Sequence, residues 1–69
     1  MDKITIIGLG LIGGSIGFAL KANASDRIYV SGYDKDFDEG RKAEKLKAVD
    51  KAHWKLDDAL KDAKMVILA

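Results

Sequence analysis

Lys3-Ile4-Thr5-Ile6-Ile7-Gly8-Leu9-Gly10-Leu11-Ile12-Gly13-Gly14-Ser15-Ile16-Gly17 is the stretch that decides the fold. From Ile4 to Ile7 every residue is β-branched. Such a near-continuous run suits a strand buried on both faces, as in a parallel sheet. Glycine follows at once. Beyond the glycines, Ile12, Ile16, Ala19 and Leu20 fall at helical spacing, which predicts a helix over residues 12–22 with those four on its inner face.

Gly8, Gly10 and Gly13 have the spacing G-x-G-x-x-G. At this junction each glycine has a physical task. The first permits a tight turn out of the strand, the second lets backbone approach a pyrophosphate, and the third lets the helix lie close to the strand. The helix N-terminus then offers free N–H groups and a positive dipole end to phosphates. The fingerprint also calls for an acid about 20 residues on, at the end of the next strand. Asp34 stands 21 residues after Gly13. A carboxylate there accepts from the adenosine ribose hydroxyls and repels a 2′-phosphate, which favours NAD. Lys35 follows and offsets part of that repulsion, so NADP stays open. The bland alternatives are a glycine-rich packing turn without a ligand and an Asp34 that merely ends a strand.

The rest of the chain continues the alternation. Asn23 to Asp26 is a turn cluster, and Arg27 to Tyr33 a second strand ending at Asp34. Asp36 can cap a helix, with Glu39 completing a capping box. Phe37, Gly40, Ala43 and Leu46 share one face of that helix, and Asp38 and Lys42 form an i,i+4 pair. A short third strand is expected at Ala52-His53-Trp54. A short helix over Leu56 to Ala63 turns Leu56, Ala59, Leu60 and Ala63 inward, and Met65 to Ala69 forms a fourth strand. Alternating elements imply parallel strands joined by right-handed crossovers. The expected fold is α/β: the N-terminal half of a three-layer Rossmann-type parallel sheet with strand order 3-2-1-4.

Composition narrows the function classes. A net charge of +1 gives no footprint for nucleic acid or a membrane surface. The apolar stretch from Ile4 to Leu20 is interrupted by five glycines, so it reads as neither a membrane span nor a signal peptide. There is no cysteine, which fits a cytoplasmic setting. The chain's 69 residues make one small unit in which a self-sufficient core is marginal.

At Gly8 to Gly17 the string Gly-Leu-Gly-Leu-Ile-Gly-Gly-Ser-Ile-Gly resembles the N-terminal signature of the prephenate and arogenate dehydrogenases. The resemblance continues through Gly32-Tyr33-Asp34, Ala48-Val49-Asp50 and Asp57-Asp58-Ala59-Leu60 into Met65 to Ala69. It implies an oxidoreductase of tyrosine biosynthesis, in which hydride transfer to a nicotinamide cofactor is coupled to decarboxylation of prephenate or arogenate. It further implies that Gly8, Gly10, Leu11, Ile12, Gly13 and Asp34 contact NAD, with Ser15 as a further candidate. Lys64 departs from the family, which commonly has an acid there. The resemblance also implies that residues 1–69 are the N-terminal half of a cofactor domain. The catalytic histidine, the substrate-binding arginines and a helical dimerisation domain are then expected beyond Ala69. The parent is expected to be a homo-oligomer, and the fragment alone inactive.

Two other functions stay open: the cofactor half of another NAD(P)-dependent dehydrogenase or reductase, and a non-catalytic nucleotide-sensing module. His53, the only histidine, is expected to be a satisfied structural or surface residue. Trp54 reads as core or edge packing, and Asp57-Asp58 as a charged helix start in preference to a metal site.

Overall fold

The computed structural model describes residues 1–24 and 26–69. The elements run β1 (Asp2–Ile7), α1 (Leu11–Ala24), β2 (Ile28–Tyr33), α2 (Phe37–Lys45), β3 (Lys51–Ala52), α3 (Leu56–Leu60) and β4 (Met65–Leu68). All pairings are parallel, and the sheet order is β3-β2-β1-β4, as the alternation predicts. The Asn23–Asp26 turn is shorter than expected, because α1 runs on through Asn23 and Ala24; Ser25 lies outside the described residues.

The sheet has two unlike faces. Side chains alternate along a strand, so Ile4 and Ile6 share one face with Ile28 and Val30. These pack with Leu9, Ala43, Ala48, Val49 and Ala52 into the main core, under α1 and α2. The opposite face carries Thr5 and Ser31, paired in register and both fully buried. It is therefore polar where the sequence suggested continuous apolar burial. Thr5 Oγ1 and Ser31 Oγ lie 2.9 Å apart, and both donate to the carbonyl of Ala59, at 2.5 and 3.0 Å. That carbonyl belongs to the last turn of α3, where no intrahelical donor remains. Lys3 Nζ adds bonds to the carbonyls of Asp58 and Lys61 at 3.2 and 2.7 Å. Hydroxyls and one ammonium thus dock α3 beneath the sheet.

Several helix faces differ from those predicted. In α1 the buried residues are Gly13 and Gly17, while Ile12 is 70% exposed and Ala19 also faces solvent. A Cβ at Gly17 would stand 2.1 Å from the carbonyl oxygen of Ala48, so backbone lies against backbone there. Ile16 and Leu20 flank this contact and pack partly on the core. The expected capping box does not close. Asp36 caps α2 by accepting from Asp38 N at 3.0 Å, but its own N–H goes to Asp34 Oδ1 at 2.9 Å, not to Glu39. Glu39 instead pairs with Lys42 at 3.4 Å, displacing the expected Asp38–Lys42 pair. Leu46 turns outward at the C-cap of α2, and Phe37 stacks on Trp54 with ring centroids 3.9 Å apart. Of the four residues expected to face inward from the third helix, only Ala59 is fully buried; Leu56 and Leu60 are exposed, and the helix stops at Leu60, before Ala63.

Candidate functional site

The strand C-termini bring the sequence-predicted residues to one end of the sheet. Gly8, Gly10, Leu11, Ile12 and Gly13 form the β1–α1 turn and the first turn of α1, while Asp34 follows β2 immediately. Gly8 has φ +95°, a conformation that favours glycine. Its N–H donates to Tyr33 O at 2.8 Å, which ties the turn to the end of β2.

The two later glycines of the motif sit in opposite environments. A Cβ at Gly13 would come within 1.8 Å of the Gly8 carbonyl oxygen, so the helix rests directly on the turn. A Cβ at Gly10 would meet nothing within 4 Å, and neither would one at Gly14. The packing therefore requires Gly13, whereas Gly10 faces open space. The first N–H consumed inside α1 is that of Gly14, donated to Gly10 O at 2.8 Å. The N–H groups of Leu11, Ile12 and Gly13 precede it and have no carbonyl one turn back. Leu11 is 90% exposed beside them. An open groove of about 330 Å³ runs from this turn between α1 and α2, lined by Gly10, Gly14, Phe18 and Ala43 among others.

Asp34 joins this constellation directly. Its Oδ2 accepts from Leu9 N at 2.6 Å, and its Oδ1 accepts from Asp36 N at 2.9 Å. The acid thus bridges the glycine turn and the start of α2. Ser15, the further candidate, is exposed and donates its hydroxyl to Leu11 O at 2.9 Å, one turn back in its own helix.

Sequence reading passed over Leu9. Its side chain is 3% exposed, and its methyl groups occupy the space where a Cβ at Gly32 would lie, 2.7 Å from Leu9 Cδ1. The signal was Gly32 itself: a glycine inside a strand marks a close approach by another group.

His53 stands apart from the turn, after β3. Its backbone N–H donates to Gly32 O at 2.9 Å, but its Nε2 is buried without a partner among the described residues, which corrects the expectation of a satisfied histidine. Burial, reinforced by Lys3 and Lys51, pushes its pKa below the ordinary histidine value. It lines a groove of about 910 Å³ along β3 and α2, larger than the first but containing no residue of the glycine turn. Among the described residues no cluster of acidic, histidine or cysteine side chains is arranged to hold a metal, and no helix is long and apolar enough to cross a membrane.

No protein-family model matches the chain, and no curated protein does. Solved structures do. An arogenate dehydrogenase from Synechocystis is 33% identical with a TM-score of 0.83, over 96% of this chain and 22% of that one. A prephenate dehydrogenase from A. aeolicus, solved with hydroxyphenyl propionate and NAD+, is 25% identical with a TM-score of 0.83, over 99% of this chain and 24% of that one. The chain matches the N-terminal part of these dehydrogenases and spans less than a quarter of their length.

Proposed function

We propose that these 69 residues are the adenosine-side half of an NAD-binding domain, within an enzyme that oxidises prephenate or arogenate. One observation carries the reading. The acid at the end of β2 is hydrogen-bonded to the glycine turn itself, beside a glycine whose Cβ position is open. A packing turn without a ligand has no use for that open side, since Gly13 alone satisfies the close approach of helix and strand. The similar A. aeolicus structure was solved with NAD+.

In this reading the N–H groups of Leu11, Ile12 and Gly13, at the positive end of α1, hold the pyrophosphate. Gly8 and Gly10 shape the approach. Asp34 accepts from the adenosine ribose hydroxyls with the lone pairs that Leu9 and Asp36 leave free. Leu11 and Ile12 shield the phosphates from water. The bound nicotinamide supplies the hydride acceptor. Accepting the proton that the substrate gives up as hydride leaves for the nicotinamide, and positioning the substrate's carboxylates, would fall to residues outside these 69. The only histidine, His53, lies in the β3 groove and not at the turn.

Calorimetric titration with ADP, NAD and nicotinamide mononucleotide tests the assignment. ADP and NAD bind and the mononucleotide does not, because only the first two carry the adenosine diphosphate. Equal binding of all three, or of none, would refute it.

A further inference from the structure

The carboxylate of Asp34 has more to do than read hydroxyls. Two successive N–H groups of the turn are stitched to the end of β2: Gly8 N to Tyr33 O at 2.8 Å, and Leu9 N to Asp34 Oδ2 at 2.6 Å. The first is ordinary backbone pairing. The second depends entirely on a side chain. Leu9 N is part-buried, and the residue beneath it is sealed into the core at 3% exposure. Without the carboxylate this N–H loses its partner in a place water reaches poorly, which is costly. The other oxygen of the same carboxylate holds Asp36 N at 2.9 Å, at the N-cap of α2.

We infer that Asp34 is a positioning residue for the phosphate turn: through Leu9 it fixes the backbone that receives the pyrophosphate, so ribose recognition and phosphate binding are mechanically one device. The inference rests on the reading that this turn holds a dinucleotide. It has a specific consequence. A neutral residue at position 34 lowers affinity even for a ligand with no ribose hydroxyls to read. Asparagine keeps the shape but sets an amide donor against either Leu9 N–H or Asp36 N–H. Serine is too short to bridge both. Exchanging this acid therefore weakens phosphate binding for either cofactor, and a simple change of preference from NAD to NADP does not follow from one substitution.

The test compares ADP with 2′,3′-dideoxy-ADP on wild type, Asp34→Asn and Asp34→Ser, by calorimetry. Wild type binds both ligands, the dideoxy compound more weakly. Both variants lose a further factor of about ten on the dideoxy compound, the fold-change that one charge-assisted hydrogen bond commonly sets. Amide hydrogen exchange adds a site-specific readout. In the variants Leu9 N–H exchanges faster while Gly8 N–H does not. Variants that bind dideoxy-ADP as wild type does, and lose only on ADP, would show that Asp34 reads hydroxyls and nothing more. Wild type that binds neither nucleotide would overturn the dinucleotide reading itself, and this inference with it. If the variants do not fold, wild-type exchange decides. A Leu9 N–H no better protected than that of Leu11, which has no partner among the described residues, overturns the inference; clear protection of Leu9 supports it.

Discussion

Gly10 and Gly13 belong to one motif, yet the structure separates their roles sharply enough to give opposite outcomes for the same substitution. Gly13→Ala places a methyl 1.8 Å from Gly8 O, which is 1.6 Å short of the 3.4 Å where ordinary contact begins (3.4 − 1.8). The obstacle is backbone, held in place by Gly8 N→Tyr33 O, so it cannot rotate aside. Overpacking of this severity costs about 3 kcal/mol or more. Replacing glycine by alanine in a helix returns about 1 kcal/mol. The net loss is then about 2 kcal/mol or more. Gly10→Ala meets no atom within 4 Å, and Gly10 is not among the positive-φ residues. Restricting the unfolded chain stabilises by about 0.4–1 kcal/mol. Against this, Gly10 is the N-cap of α1, its carbonyl accepting the first helical bond, and alanine is the poorer cap by a similar amount. The two effects cancel to within about 0.5 kcal/mol. Urea unfolding followed by far-ultraviolet circular dichroism measures both variants. Equal destabilisation of the two, or a wild-type midpoint for Gly13→Ala, would refute this account of the turn. Gly10→Val completes the contrast: NAD affinity lost with only a moderate loss of stability.

Other outcomes follow from the same geometry. Thr5→Val or Ser31→Ala alone costs about 1 kcal/mol, because the remaining hydroxyl still serves Ala59 O; the double variant loses more than the two singles added, measured as a double-mutant cycle. His53, whose folded pKa is lowered chiefly by burial, binds a proton more readily unfolded than folded. Stability contributed by the neutral ring is therefore complete above the unfolded pKa of about 6.5 and declines as pH falls from there to the folded value, below which it levels off. His53→Gln flattens that part of a melting-temperature profile, and an unchanged slope would count against the assignment. On the proposed placement of Asp34 at the adenosine ribose, kcat/KM of the intact enzyme is expected to favour NAD over NADP; a clear NADP preference would mean that Lys35 outweighs Asp34.

Much of this is legible in the sequence. The β-branched run from Ile4, the glycine spacing and the alternation of elements led directly to the parallel sheet and its order. The misreadings share a physical origin. Hydrophobic periodicity counts apolar side chains, whereas α1 packs through residues that have none. Gly13 and Gly17 are buried because backbone meets backbone, and Ile12 is displaced outward. The capping box failed because the pattern Asp36–Glu39 is local, and a non-local competitor, Asp34, took the N–H it needed. The bridge from Asp34 to Leu9 was invisible for a similar reason: a carboxylate's partner across 25 residues leaves no trace in spacing.

The two borders of the sheet are not equivalent. At β3, the Ala52 N–H is occupied by the Glu44 carboxylate at 2.7 Å, so α2 reaches over and finishes that margin. At β4 no described residue does the same. Met65, Val66 and Leu68 are 55%, 44% and 80% exposed, and the sequence contains no proline to blunt the strand. The β4 margin therefore carries backbone N–H and C=O groups that no described residue covers, and a margin of that kind is where a further strand pairs; the glycine turn follows β1, the strand directly inside it.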